Sequence, residues 1–447
     1  MTEKECLDFM EELKKSGIVP GLGSIKELCR RLGNPQDAFP CIHIAGTNGK
    51  GSVLAYLSSV YKTAGYRVGT FSSPAVFNPR ETIRVNGTNI TKKAWAEEIT
   101  QIEEAVEAIK ADGLPVPTAF EAEVALAFLY FAEKRCDVVI LETGMGGRQD
   151  ATNIVTRTLA AVLMPIGMDH MQFLGKTLDK IACQKAGIIK KGCVAVSAVQ
   201  QEEAVSEIRK EAEKQGCSCI FATVPEKVKY GLKKQKFTYR DSFGTLHKDM
   251  EITIPGVCQA ENAAVAIEVV EALNRKTDED KTSGENGKDS IISLQVTEEC
   301  LRRGLLETSW PGRFEVLREK PYFVIDGAHN EPAAQKLVQS VSAYFSNKRI
   351  IYIMGMLKDK EYEKVAEITY PYADQIITVT PPENKRALSA MDLAAAVSVY
   401  HPRVTTAGSA EEAVEMAYLL AGKEDVILCF GSLSFLGRVK GILKKQA

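Results

Sequence analysis

Ten residues, His43-Ile44-Ala45-Gly46-Thr47-Asn48-Gly49-Lys50-Gly51-Ser52, constrain this 447-residue chain more than any others. An apolar run, Cys41 to Ala45, reads as a buried strand, and a helix is expected to begin near Ser52. The glycines between them let the turn curl, so that backbone N–H groups face an anion. The helix start adds its positive dipole end. Lys50 supplies a mobile cation for phosphate oxygens, and Ser52 a hydroxyl for a phosphate-bound magnesium. The common phosphate-loop spelling would place Gly at Ile44 and Ser or Thr at Gly51. Even so, Gly46-Thr47-Asn48-Gly49-Lys50-Gly51-Ser52 after an apolar strand predicts a grip for a nucleoside triphosphate.

A strand followed by such a loop and a helix implies an α/β architecture, and the rest of the chain repeats the alternation. Asp137–Leu141 and Ala160–Met164 read as further buried strands of a mostly parallel sheet. Asn86-Gly87 reads as a hairpin turn between short strands. The Lys-rich piece holding Lys227, Lys229, Lys233, Lys234 and Lys236 reads as a solvated hairpin or edge strand. Asn274–Ser290 has no apolar residue and is expected to be a mobile surface loop. Pro and Gly interrupt the chain at Ser309-Trp310-Pro311-Gly312, and a second alternating series follows at Tyr322–Ile325, Arg349–Met354, Gln375–Val379 and Asp425–Phe430. Two domains are expected. Residues 1–309 form an ATP-binding domain, and 310–447 a smaller Rossmann-like one.

Composition excludes some partners. A formal charge of −2 offers nothing to nucleic acid or an acidic membrane. No apolar run approaches membrane-spanning length. Eleven scattered cysteines without a Cys-x-x-Cys pair fit reduced thiols in a cytosol.

Ligands of doubly wound sheets gather beyond the carboxyl ends of strands, where several unusual residues lie. Glu142 ends a strand and opens a glycine-rich segment through Asn153, which suits a magnesium ligand. His170 follows the next strand. Lys185 looks, from local sequence, like a surface lysine on a helix. In the second half, Asp326-Gly327-Ala328-His329-Asn330 follows a strand, and Arg313 lies just past the border. Asp can hold a ribose hydroxyl, whereas Arg and His can neutralise phosphate. Phosphate-binding groups on two domains suggest a site assembled by closure.

These residues carry a resemblance over nearly the whole chain. It runs through Pro20-Gly21-Leu22, Leu32-Gly33-Asn34-Pro35, Ser72-Ser73-Pro74 and Phe120-Glu121. It continues through Glu142–Asn153, Asp169-His170 and Lys185-Ala186-Gly187-Ile188-Ile189-Lys190. It closes with Trp310-Pro311-Gly312-Arg313, Asp326–Asn330 and Gly431-Ser432-Leu433. In all of these the chain resembles the folylpolyglutamate synthases, including the bifunctional dihydrofolate synthases, of the Mur ligase superfamily. The resemblance implies ATP-dependent ligation of L-glutamate to a folate or pteroate through an acyl phosphate. Thr47, Asn48, Gly49, Lys50, Gly51, Ser52, Asn262, Arg313 and Asp326 would hold the nucleotide. Ser52, Ser73, Glu142, His170 and a carbamylated Lys185 would ligate magnesium. Lys50, His170 and Lys185 would be catalytic, and Ser73, Pro74, Glu121, His329 and Ser432 would meet the substrates. A cytoplasmic monomer is implied.

The chain departs from the family pattern at three places. Glu81-Thr82-Ile83 stands for Glu-Arg-Ile, with Arg80 one step earlier; Gln184 stands for Glu; and Cys258-Gln259-Ala260-Glu261-Asn262 for His-Gln-x-x-Asn. Two alternatives remain at this level. A Mur-type ligase acting on a UDP-sugar peptide would want a UDP-binding domain before the phosphate loop, which here begins at residue 46. A P-loop ATPase switch would leave Arg313 and His329 without a task.

Overall fold

The computed structural model describes the chain except residues 16, 18, 284–293, 383 and 446–447, and the side chains of 279–283 and 434. Its first sheet is built from β1 (Cys41–Ala45), β2 (Val68–Phe71), β3 (Ile83–Val85), β4 (Thr88–Asn89), β5 (Val138–Glu142), β6 (Thr158–Leu163), β7 (Val194–Ser197) and β8 (Cys219–Phe221). The spatial order is β4-β3-β2-β5-β1-β6-β7-β8. Pairing is parallel from β2 through β8, and antiparallel only in the β2-β3-β4 meander. Asn86, at φ 50°, makes the β3–β4 turn.

β1 and β5 are buried along their whole lengths because helices cover both faces of the sheet. Strand alternation then sorts their side chains. Ile42, Ile44, Val138 and Ile140 pack with the helices Lys50–Thr63 and Gln259–Ser283. Val139, Leu141 and Phe71 face the helices Lys92–Ala111 and Ala119–Glu133.

A small antiparallel sheet follows: β9 (Glu226–Lys229), β10 (Gln235–Arg240) and β11 (Leu246–Ile252), in the order β11-β10-β9. It contains much of the Lys-rich segment, on strands and turns as expected. The expected loop at Asn274–Ser290 is corrected. The helix Gln259–Ser283 runs through its first part, and residues 284–290 lie outside the described ones. The buried residues Val269, Val270 and Leu273 anchor the preceding turns, and Asn274 brackets Val296 with hydrogen bonds of 3.0 and 2.9 Å. A helix already nucleated needs no apolar face to continue.

The third sheet holds β12 (Glu315–Glu319), β13 (Tyr322–Asp326), β14 (Ile350–Met354), β15 (Gln375–Val379), β16 (Val404–Ala407) and β17 (Val426–Phe430). Its order is β12-β13-β17-β14-β15-β16, parallel except for β12. The α/β class is therefore as the sequence predicts: a large, mostly parallel sheet and a smaller α/β unit. No helix among the described residues is long and apolar enough to cross a membrane.

Candidate active site

The carboxyl ends of β1 and β5 meet at the phosphate loop. Gly46 has φ 151°, and a Cβ there would sit 2.6 Å from the Met164 Cβ, so only glycine fits. Gly49, in the left-handed region at φ 89°, starts the helix Lys50–Thr63 without any side-chain cap. The first N–H groups of that helix are thus left for an anion. Thr47 fixes the loop through its hydroxyl, which donates to the Gly167 carbonyl at 3.1 Å and accepts from the Gly167 N–H at 3.0 Å.

Two lysines converge on this loop. Lys50 Nζ donates to the carbonyls of Gly46 at 3.1 Å and Thr47 at 3.3 Å, and lies 3.9 Å from Glu142 Oε1. Lys185 Nζ donates to the same Gly46 carbonyl at 2.9 Å. The sequence placed Lys185 on a surface, but it is buried. The helix Leu178–Ala186 turns it inward against the first sheet, a tertiary effect that local sequence does not carry. Burial, and then the charge of Lys50, push its amine down to about 7.

Glu142 is also buried, and burial raises its carboxyl against the opposing charges of Lys50 and Arg313. Ser52 is buried, and its hydroxyl accepts from Gln259 Nε2 at 3.3 Å. Asn262 supports Gln259 through a 3.2 Å hydrogen bond, and its Oδ1 would lie 2.7 Å from a Cβ on Gly49. The Trp310 indole would meet a Cβ on Gly51 at 2.9 Å. The retained Gln259 and Asn262 of the departing motif therefore both brace the phosphate loop.

Other residues come from both halves. A cleft is lined by Ser73, Pro74, Glu142, Trp310, Arg313 and Leu433. Asp326 is half-buried, with Oδ2 accepting from the Phe314 N–H and Oδ1 from the Ala328 N–H, both at 2.8 Å. The Arg313 guanidinium packs where a side chain on Gly327 would go. His329 Nδ1 lies 2.8 Å from the Gly327 carbonyl, and burial followed by Lys360 lowers its imidazole to about 4. His170 takes the left-handed conformation at φ 51°, 3.7 Å from Asp169. Its packing lowers the imidazole, and the cations Lys360, Lys185 and Lys50 add to this against the opposing charge of Asp169.

The halves are latched across the cleft. Asn48 and Asn330 exchange side-chain amide hydrogen bonds of 3.1 and 3.4 Å. Lys360 Nζ pairs with Asp169 at 3.0 Å. Burial would raise Asp169, but Lys360, His170 and His329 hold it at about 2. Lys360 was not singled out in the sequence; its one signal is a position just past β14, in a Gly355-containing turn.

Three predicted substrate residues, Glu121, His329 and Ser432, do not line this cleft. The Glu121 carboxylate closes a capping box, accepting from the Thr118 N–H at 2.7 Å and its hydroxyl at 2.9 Å. Ser432 is buried beyond β17. Arg80 turns away to the Ile90 carbonyl at 3.0 Å. Arg84, which the sequence reading passed over, instead lines the cleft with its guanidinium 5.4 Å from the Trp310 ring centre and no partner for Nε.

A phosphate loop on one α/β unit faces an Arg from a second, and the family matches follow the same division. The chain matches the Mur ligase middle domain over residues 44–270 and the Mur ligase glutamate ligase domain over 312–433. Among individual proteins, it is 36% identical over 443 residues to the dihydrofolate synthase/folylpolyglutamate synthase of Bacillus subtilis, covering 96% of each chain. A Mycobacterium tuberculosis folylpolyglutamate synthase solved with ADP and AMPPCP superposes with a TM-score of 0.86 at 28% identity, over 99% of each chain. Escherichia coli FolC, solved with DHPP and ADP, gives 0.85 at 28% identity, over 100% of this chain and 98% of that one. The chain belongs to the dihydrofolate synthase/folylpolyglutamate synthase family.

Proposed function

We propose that this chain is an ATP-dependent ligase that adds L-glutamate to folates, and that the cleft between its two α/β units is the place of reaction. The convergence of Lys50, Lys185 and Glu142 on one uncapped helix start, opposite Arg313, carries the proposal.

The phosphate loop would receive the ATP phosphates on the N–H groups of Gly49 to Ser52, with Thr47 and Asn48 fixing the loop's edge. Lys50 would leave its carbonyl partners for the β- and γ-phosphates. Asn262, Arg313 and Asp326 would hold the rest of the nucleotide. The folate carboxylate then attacks the γ-phosphorus, ADP departs, and an acyl phosphate forms. The glutamate amine attacks that carbonyl carbon, phosphate leaves, and the amine proton passes to solvent. Arg313 and His329 would offset the charge that develops, so positioning and charge neutralisation supply most of the rate. Ser73 and Pro74 would border the folate, and His329 and Ser432 the incoming glutamate. Glu121 would act from behind, through the cap that holds its helix.

The donors suit magnesium, a hard cation: the Ser52 hydroxyl, Ser73 and the buried Glu142 offer oxygens, and His170 stands nearby. When bound, magnesium would offset phosphate charge. A buried amine pushed down to about 7 has a sizeable neutral fraction near pH 7, and the neutral amine can add to carbon dioxide. Carbamylation would turn Lys185 from a cation crowding Lys50 into a carboxylate facing it. A carbamate signal in 13C NMR under labelled carbon dioxide, absent in Lys185→Arg, checks this.

We assign residues 1–309 to the ATP-binding domain and 310–447 to the C-terminal one. A monomer in the cytoplasm, taking small molecules and neither nucleic acid nor membrane, fits a charge of −2 and a cleft built within one chain. Product mass tests the function, with ATP, magnesium and L-glutamate supplied beside tetrahydrofolate or dihydropteroate. One added glutamyl unit with ADP release is expected on the folate. Addition to dihydropteroate as well would define a bifunctional enzyme, and no addition to either would overturn the proposal.

A further inference from the structure

Two cysteines approach each other where the chain leads into the paired strands β7 and β8. The strands are parallel, with Ala195 opposite Cys219. Cys193 immediately precedes β7, and Cys217 lies two residues before β8. Their Sγ atoms are 3.9 Å apart. A bond there needs the sulfurs to close from 3.9 Å to about 2.05 Å.

The surroundings give the two sulfurs different tasks. Cys193 is buried, and burial pushes its thiol up to about 12, so it is inert alone. Cys217 is half-buried, and a reagent can reach it first. Both touch one turn: Cys217 Sγ donates to the Lys190 carbonyl at 3.0 Å, and the Lys190 N–H donates to Cys193 Sγ at 3.4 Å. That turn continues the helix bearing Lys185, and Lys190 Nζ donates to the Asn153 carbonyl at 2.9 Å.

We propose that Cys193 and Cys217 form an oxidant-responsive dithiol that closes to a disulfide between the segments leading into β7 and β8, beyond the end of the Lys185 helix. A low-molecular-weight disulfide is the oxidant. The Cys217 thiolate attacks one of its sulfurs, forming a mixed disulfide and releasing one thiolate. Cys193 gives up its proton, and its sulfur attacks the Cys217 sulfur, expelling the second thiolate. Two cysteine thiols become one disulfide, and one small disulfide becomes two small thiols. Closure removes the Cys217 donor from the Lys190 carbonyl and ties the turn to both strands.

The test exposes the full native chain to oxidised glutathione, blocks free thiols, and maps peptides by mass without reduction. A Cys193–Cys217 linked pair is expected, reversed by dithiothreitol and accompanied by a higher melting temperature. In Cys217→Ser the link is lost and Cys193 stays unmodified. Glutathione adducts on Cys217 with no link to Cys193 would overturn the proposal. So would a linked pair no more abundant from native protein than from chain unfolded in urea, since the fold would then contribute nothing.

Discussion

Two loops in this molecule look alike and are finished differently. Each follows a buried parallel strand and opens a helix: Gly46–Gly49 after β1, and Gly327–Asn330 after β13. In the first, Gly49 provides no side-chain cap, and the opening N–H groups of the helix stay available. In the second, Asn330 caps the helix Glu331–Phe345, its Oδ1 accepting from the Ala333 N–H at 3.0 Å. An uncapped start can take an anion on its backbone. A capped one has used that capacity, so this side meets the first unit through side chains instead: Arg313 in the cleft and the Asn330 amide laid against Asn48. One loop offers backbone donors, and the other meets it by side chain.

The largest test removes the cation of the first loop. Lys50→Ala is expected to lower ligation by at least ~100-fold, the scale for losing one charge-stabilising group, with an unchanged circular dichroism melt. Near wild-type product formation by mass spectrometry would dissolve the distinction between the loops.

Replacing Lys185 by Ala should cost roughly 10–100-fold, as for a group supporting a metal centre. Nucleotide binding, followed by calorimetry, should fall less than turnover.

The second loop is separable in a way the first is not. Asn330→Asp keeps the capping oxygen but loses the amide donor to Asn48, so kcat should fall about tenfold with stability nearly unchanged. Asn330→Ala loses the cap too and should cost a further ~1–2 kcal/mol of stability in urea unfolding. Equal stability losses for the two variants would mean that the cap and the latch are not distinct.

The smallest effect lies away from both loops. His247 is buried with Nε2 3.2 Å from Asp241 and Nδ1 3.1 Å from Glu298. Burial pulls its imidazole down, but the hydrogen bonds to Glu298 and Asp241 outweigh it and raise it above the ordinary value. A raised folded pKa stabilises fully below about 6.5 and loses that stabilisation as pH climbs through the folded value. The urea midpoint should therefore fall between pH 6 and 8.5 in the native protein and flatten in His247→Gln, with ligation at pH 7 barely changed.

Much of this comparison was legible in the residues themselves. The Gly46–Ser52 spelling, the apolar runs of β1, β5, β15 and β17, and the strand-end carboxylate Glu142 each act locally, through turn conformation or through burial on two faces. Lys185 was misjudged because nothing within a few residues records which side of its helix meets the sheet. Glu121 was read as a substrate residue, while its carboxylate closes the cap that Thr118 begins. Lys360 and Arg84 were missed because their partners, Asp169 and Trp310, are each more than a hundred residues away in the chain.

What the sequence determined alone was therefore the conformation of the loops and the layering of the sheets. Glycine φ angles, helix starts and the two-residue period of strands are written in neighbouring residues. The tertiary structure decided which charged groups would share a space. It drove Lys185 onto the Gly46 carbonyl beside Lys50, set Asn330 against Asn48, and chose Arg84 over Arg80 for the cleft. Charge, solvation and pKa depend on distances across the fold, and those distances exist only once the chain has closed.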